Sequence, residues 1–420
     1  VPLAKKGLDT STLKSTEKGT FGVSKEEREA IHNETKNSGA LEAAAKILVL
    51  EEEKDTKNDD TQKNEASHAS PASTGCFIFT GTGSAIPCKH RNVTGMYLRM
   101  NNGNGMLLDC GEGTLGQLIR SWRSSYNRDI IKESESEYIR SCVKNIKAAW
   151  ISHPHADHHL GLIRFLSERN SILLQSGSLQ DGQDDRIVLM ASPNIFRFLD
   201  EYSKVDPSVY GGYIPVDCRD TLPDVQEPLG EGSILHQKLG LTRCISVPVS
   251  HCYHSFAVVL DGTSFGRLVY SGDCRPSDRL VEVGQGADLL IREATFENGM
   301  EEEAVLKMHS TVSEALSVSK RMSAKACILT HFSQRYPRIP PLRKEDSQLS
   351  FPVAFAFDFM KVTPDNIVTA SRLTSAMRML YPEDVDEGDS AEAAETKRAA
   401  KEILSMPGLF ASSMKCDMNN

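Results

Sequence analysis

Between Cys76 and Ser333 the chain is broken into short apolar runs, each bounded by glycine or polar residues. They are CFIFTGTGSA from Cys76, GMLLDCGEG from Gly105, KAAWISH from Lys147, DRIVLMAS from Asp185 and RCISVPVSHC from Arg243. SFAVVLDG from Ser255, RLVYSGDC from Arg267, ADLLIREAT from Ala287 and KACILTHFS from Lys325 complete the set. Runs of this length with β-branched residues predict buried strands. Longer amphipathic stretches lie between some of them, GTLGQLIRSW from Gly113, HLGLIRFLSERNSILL from His159 and SEALSVSKRM from Ser313, and these predict helices. Hairpin-like pairs come first and strand–helix alternation follows, which indicates α/β layers with helices outside sheets. Periodicity leaves a doubly wound sheet and a sandwich both open.

The flanks have a different character. Residues 1–74 are expected to be a low-complexity, largely disordered linker. From Glu51 to Thr74 no apolar residue exceeds Ala or Pro, so burial cannot offset the ordering entropy. Gly39–Glu53 could form a short helix within it. Residues 383–420 are read as an acidic, Ala-rich tail, which leaves 75–382 as the folded domain. The stretch Asp181–Gly232 is weakly patterned and is expected to form a loop insertion over the site. Because the first residue is Val, the chain is read as a fragment or processed form. The ten cysteines contain no CxxC pair and do not read as a disulfide framework, which favours a reducing compartment. No apolar run approaches the ~20 residues that span a bilayer. The net charge of −9 argues against a general nucleic-acid coat protein, although a local basic groove or a metal-centred site remains compatible with it.

The chemistry is concentrated in ISHPHADHHLGL, Ile151–Leu162, which holds four of the chain's 12 histidines. His153 and His155 follow a predicted strand, two residues apart, so both rings face one side. Asp157 and His158 turn away at the start of a helix. One loop can thus serve two neighbouring metals, with imidazole and carboxylate ligands that suit zinc and, less exclusively, manganese or iron. More candidate ligands appear at other strand ends: His251 after VPVS, Asp273 after VYSG and His331 after ILT. A carboxylate can bridge two metals ~3.5–4 Å apart, and Asp273 is the natural candidate.

HxHxDH followed by His, Asp and His resembles the metallo-β-lactamase superfamily, whose fold is an αββα sandwich. PCKHRN (Pro87–Asn92), LLDCGEGTLGQL (Leu107–Leu118), SGDCRP, IREATFEN, KMHST (Lys307–Thr311) and LTHFSQRYP narrow the resemblance to the tRNase Z family. More narrowly, they are similar to the catalytic C-terminal half of its long eukaryotic form. The likeness covers roughly Gly75–Pro382. It implies a zinc-dependent endoribonuclease that removes the 3′ trailer of precursor tRNA. Two zinc ions are implied, one held by His153, His155 and His251, the other by Asp157, His158 and His331, with Asp273 between them. Asp157 would also serve as general base, and His309, supported by Glu293, as proton donor to the leaving 3′ oxygen. Lys89, Arg91 and Asn92 match a loop that meets the tRNA 3′ end. Position 292 is Arg where the family usually has His, which bears on the tuning of Glu293.

No basic, Gly- and Pro-rich arm is visible. Gripping the tRNA is therefore expected to depend on an absent N-terminal half, or on a homodimer, with the nucleus or mitochondrion as compartment and no membrane partner. Two other readings stay open. A thioesterase or small-molecule phosphodiesterase of the same fold would keep the metals and not need PCKHRN or HFSQRY. A non-catalytic scaffold would have lost ligands, yet all seven are present. His254 is open between orienting a ligand and packing in a strand. His159 is expected outside the metal shell, and Glu112 as a helix cap.

Overall fold

The computed structural model describes residues 75–124, 135–176, 185–225, 232–335, 339–340, 342–343 and 349–380, with scattered positions between 33 and 45. The expected linker, apart from those positions, and the expected acidic tail lie outside the described residues. So does most of the helix expected from Gly39, of which Ala40 and residues 42–45 are helical.

The first sheet contains β1 (Cys76–Gly81), β2 (Gly95–Arg99), β3 (Gly105–Cys110), β4 (Ile146–Trp150), β5 (Ile187–Ala191) and β6 (Tyr213–Asp217). The second contains β7 (Arg243–Pro248), β8 (Phe256–Thr263), β9 (Gly266–Tyr270), β10 (Leu289–Glu293), β11 (Cys327–Thr330) and β12 (Val353–Phe355). A short β13 (Lys361–Val362) returns to pair with β1 at the edge of the first sheet. Among the described residues the strand orders are β13-β1-β2-β3-β4-β5-β6 and β12-β11-β10-β9-β8-β7. In each sheet an antiparallel portion, β1–β3 or β7–β9, passes into a parallel one.

Three apolar clusters fix the layers. Phe77, Phe79, Met96 and Trp150 of the first sheet pack with Val258, Leu260, Tyr270 and Ile291 of the second, so the two sheets face each other. Leu107, Ala149 and Leu189 point the other way, onto helices Thr114–Ser124, Gly161–Gln175 and Pro193–Ser203. Val259, Val269 and Leu290 meet helices Asp278–Val283 and Val312–Arg321. The result is helix, sheet, sheet, helix, the αββα sandwich that the resemblance implied. Strands buried on both faces explain why the runs read as continuous apolar stretches rather than alternating ones.

Every strand and helix expected between Cys76 and Ser333 is present, with boundaries shifted by a few residues. The reading of Asp181–Gly232 is corrected. It holds β5, helix Pro193–Ser203 and β6, so its described part is mainly sandwich and outer layer rather than a loop over the site. Its weak pattern has a cause: β6 is an edge strand, only half buried, with Pro215 at its centre.

The topology places chemistry along one rim. His153 follows β4, Asp273 follows β9, Glu293 ends β10 and His331 follows β11. These are carboxyl ends of parallel strands, where side chains emerge from the sheet. His251 follows the antiparallel β7 onto the same rim.

Candidate functional site

The loop between β4 and helix Gly161–Gln175 carries four of the expected residues. His155 is extended (φ −75°, ψ 144°), and the short helix Ala156–His159 starts directly after it. This turn sits flush against the first sheet because Gly161 has no side chain: a Cβ there would lie 2.2 Å from the Gly111 carbonyl oxygen. Gly272, at φ +53°, makes the comparable turn before Asp273, where a Cβ would meet the Phe256 oxygen at 2.7 Å and Ser152 Cβ at 2.8 Å.

All seven expected ligands converge. His153 Nε2 and His251 Nε2 approach His155 Nδ1 at 2.9 and 3.1 Å. Asp157 Oδ2 lies 3.5 Å from His158 Nε2 and 3.6 Å from His331 Nε2. Asp273 Oδ2 reaches both sets, at 3.7 Å from His153 Nε2, 3.8 Å from His251 Nε2, 3.2 Å from His158 Nε2 and 3.1 Å from His331 Nε2. His153, His158, Asp273 and His331 are buried.

Outward hydrogen bonds fix which nitrogen faces the cluster. His153 Nδ1 meets Ser152 Oγ (2.9 Å), His158 Nδ1 the Asp109 carboxylate (2.8 Å), His251 Nδ1 the Met308 carbonyl (3.0 Å) and His331 Nδ1 Thr295 Oγ1 (2.8 Å). Each Nε2 therefore turns inward, toward the cluster. Asp273 Oδ1 is buried with no hydrogen-bond partner in the protein, and His158 Nε2 and His331 Nε2, although 3.2 and 3.1 Å from Asp273 Oδ2, make no hydrogen bond of good geometry. Buried polar atoms left this way are costly, and several aimed at one point imply a group between them. Ligands about 2.0–2.1 Å from a tetrahedral zinc sit roughly 3.3 Å apart, close to the spacings observed. The residues present fit a metal centre.

The electrostatics agree. Burial, reinforced by neighbouring imidazoles and opposed by Asp273, holds His153, His155 and His251 below the ordinary histidine range, so they are neutral, the form that binds metal. Burial would raise Asp157 and Asp273, but the surrounding imidazoles outweigh it and keep both carboxylates ionised. His158 is held well above its usual range: burial opposes its charge, and Asp273, Asp109 and Asp157 together overcome that. Three carboxylates around one buried imidazole mark a place that favours positive charge.

His309 and Glu293 adjoin this cluster. His309 Nδ1 lies 3.3 Å from Glu293 Oε1 and 4.0 Å from Asp273 Oδ2. Burial lowers the His309 pKa, yet the Glu293 and Asp273 charges raise it above the ordinary value. Glu293 is pinned by donors from the Cys274, Ser310 and Thr295 backbone N–H groups at 3.2, 2.9 and 2.9 Å. Arg292 is fully buried and braces two of them: it donates to Cys274 Sγ and carbonyl and to Ser310 Oγ at 3.0, 3.1 and 2.7 Å. The capping box of helix Val312–Arg321, Thr311 with Glu314, fixes the chain just after His309.

The PCKHRN loop departs from expectation. Lys89 is exposed, as a substrate contact requires. Arg91 is 2% exposed. Its guanidinium donates to Thr82 Oγ1 and the Ala356 carbonyl, both at 2.7 Å, and lies over the Phe332 and Phe357 rings at 4.5 and 5.1 Å. Asn92 spends its side chain on the Glu112 carbonyl (2.9 Å), and its N–H donates to Asp358 (2.7 Å). These two residues hold the loop from beneath. The loop also touches the cluster, since the Ala85 N–H donates to Asp157 Oδ2 at 2.8 Å.

Asp109 was missed by sequence reasoning. It is fully buried at φ +54° and accepts from the Ser152 N–H (2.7 Å), Ser152 Oγ (2.9 Å), Tyr270 hydroxyl (2.6 Å) and His158 Nδ1 (2.8 Å). The signal was there: a carboxylate ending the apolar run GMLLDC has the form that singled out Asp273. His159 packs on Phe198 (ring centroids 5.0 Å apart), away from the cluster. Glu112 is exposed. His254 sits in a turn, with left-handed φ +60°, and not in a strand.

No family model matches the sequence. Curated relatives do. The chain is 36% identical over 315 residues to zinc phosphodiesterase ELAC protein 2 of Rattus norvegicus, covering 74% of this chain and 36% of that protein. It is 35% identical over 316 residues to the mitochondrial ribonuclease Z of Drosophila melanogaster (74% and 38%). It is 32% identical over 364 residues to the mitochondrial tRNase Z TRZ3 of Arabidopsis thaliana (75% and 38%). A crystal structure of a long form RNase Z from yeast superposes with a TM-score of 0.61 at 25% identity, covering 77% of this chain and 46% of that one. This chain belongs to the tRNase Z family. It spans a little over a third of the length of these curated relatives.

Proposed function

We propose that this member of the tRNase Z family carries the hydrolytic centre of an endoribonuclease that cuts the 3′ trailer from precursor tRNA. The reading rests above all on one observation: seven ligand-type side chains converge with a Glu293–His309 pair within 4.0 Å of Asp273. His153, His155 and His251 would hold one zinc, and Asp157, His158 and His331 a second, with Asp273 reaching both. When bound, two zinc ions supply an activated water and stabilise charge on the phosphate in the transition state. Asp157, fixed by the Ala85 N–H, is placed to accept the proton of the attacking water. The bond that breaks joins phosphorus to the 3′ oxygen of the discriminator nucleotide. His309, kept protonated by Glu293, donates a proton to that oxygen, so the products are a 3′-hydroxyl and a 5′-phosphate trailer. Lys89 is the residue of the PCKHRN loop free to meet the RNA backbone.

The names of the fly and plant relatives place those proteins in mitochondria, and we extend that compartment, with the nucleus, to this chain. No described helix is long and apolar enough to cross a membrane. Docking of whole tRNA would draw on an N-terminal half or a second copy.

The test is incubation of the purified chain with 3′-extended precursor tRNA, with Asp157→Ala and chelator controls. A single cut after the discriminator base, lost in both controls, supports the reading. Metal-dependent hydrolysis of bis(p-nitrophenyl) phosphate without any RNA cleavage would favour another hydrolase of this fold.

A further inference from the structure

The turn between β7 and β8 carries His251 and then an aromatic pair that the hydrolytic chemistry leaves unused. Tyr253 is 77% exposed. One face of its ring is covered by His254, with centroids 3.9 Å apart and planes 30° from parallel. His254 holds this position in a left-handed backbone conformation, φ +60°, which is uncommon for a residue with a Cβ.

Hydrogen bonds fix the backbone on either side of the pair. The Val249 N–H donates to the Ser255 carbonyl (3.1 Å), and the Cys252 N–H to Ser255 Oγ (3.1 Å). The Arg275 N–H donates to the Ser250 carbonyl (3.0 Å). The Phe256 N–H reaches the Ser152 carbonyl (2.9 Å), beside His153. Both ends of the turn are thus tied to the framework of the metal centre. A large ring left in solvent gains little for folding. Its stacking on His254 limits the freedom it has to lose on binding a ligand.

Two residues of chain extend at most about 7 Å, so Tyr253 stands beside His251 at the rim of the site. In an RNA substrate the groups next to the scissile phosphate are the two flanking nucleotides. Single-stranded bases are recognised by stacking on aromatic rings, and every base has a π-face to offer.

We propose that Tyr253, backed by His254, is a stacking platform for the unpaired nucleobase flanking the cut. This rests on the nuclease reading above and adds a substrate-binding residue to it.

The test uses the full chain as wild type, Tyr253→Ala, Tyr253→Phe and Tyr253→Trp. Each is mixed with 3′-extended precursor tRNA and with single-stranded RNAs carrying 2-aminopurine at successive positions around the cut. Zinc content and melting temperature serve as controls for folding and are expected to match wild type. Tyr253→Ala should raise KM roughly 5- to 150-fold with kcat nearly unchanged, the range for loss of one base–aromatic stack. The Phe and Trp variants should restore KM. Fluorescence of 2-aminopurine at one flanking position should be quenched by wild type, Phe and Trp, and not by Ala. Wild-type KM with unaltered quenching in Tyr253→Ala overturns the platform while leaving the nuclease intact. Failure of Phe to rescue overturns it too, since a hydroxyl contact would then be responsible. A wild-type chain that hydrolyses bis(p-nitrophenyl) phosphate yet neither binds nor cuts RNA refutes the nuclease reading and the platform together.

Discussion

Changing Asp109 to Asn should weaken metal binding although Asp109 itself is not placed to touch a metal. Its carboxylate accepts four hydrogen bonds, one of them from His158 Nδ1 at 2.8 Å. Asparagine can keep an oxygen toward the Ser152 N–H. Its amide then confronts Ser152 Oγ, the Tyr270 hydroxyl and His158 Nδ1, all of which point donors inward. Each buried donor left unsatisfied costs about 1–3 kcal/mol. Three of them would remove a large part of a typical 5–15 kcal/mol stability, so melting should fall steeply. The specific effect is on His158, which loses the anion that orients its ring. Groups that orient a metal-bound histidine are worth roughly 10- to 100-fold in metal affinity, or about 1.4–2.7 kcal/mol. The assay is competition for zinc against a chelator of known affinity, alongside thermal melting of the loaded and stripped protein. Tyr270→Phe is the control, because it removes one bond to the same carboxylate but leaves His158 its partner; it should lose stability with little change in zinc affinity. A folded Asp109→Asn protein with wild-type zinc affinity would show that His158 is not oriented through Asp109.

Further consequences can be read out separately. His309→Ala should slow cleavage of precursor tRNA by about 10²- to 10⁴-fold, the usual value of a positioned proton donor. It should slow bis(p-nitrophenyl) phosphate hydrolysis far less, because nitrophenolate leaves without a proton; equal losses on both substrates would remove His309 from that role. Arg292→Met should release the braces on Cys274 and Ser310 and so loosen Glu293, costing roughly tenfold on precursor tRNA with the activated ester spared. In the metal-stripped protein Asp157 and Asp273 have pKa values below the unfolded value of ~4, since the imidazoles overcome burial. Their contribution to stability is therefore present above pH ~4 and lost as pH falls below it, and melting curves between pH 3 and 6 should show that decline. A flat profile would mean that these carboxylates are not held ionised by the histidines.

The metal cluster was legible in the sequence because His, Asp or Glu at the end of an apolar run is costly to bury unless it meets a partner there. Strand ends at Trp150, Tyr270 and Thr330 thus announced the rim residues that come within three positions of them. The partners of β1 and β11 were harder to read, since β2, β12 and β13 are short and the last two lie at sheet edges, where pairing rather than burial defines the strand. Asp109 obeyed the same rule as Asp273, and its partner His158 is brought to it by the fold. Arg91 shows a different limit. Its charge and motif marked it for the surface, while Phe332 and Phe357, which enclose it, come from the far end of the domain. A guanidinium can be buried when carbonyl and hydroxyl acceptors meet it and rings cover its faces, and nothing local in PCKHRN reports those neighbours.

The most direct measurement of the account is zinc per chain by elemental analysis, after exhaustive loading and removal of loosely held metal. Two zinc ions are predicted for the wild type, and one each for His153→Ala and His331→Ala, because those histidines belong to different ligand sets. One zinc or fewer in the folded wild-type chain, or a loss of both ions from either single variant, would contradict a centre built from two ligand sets that share only Asp273.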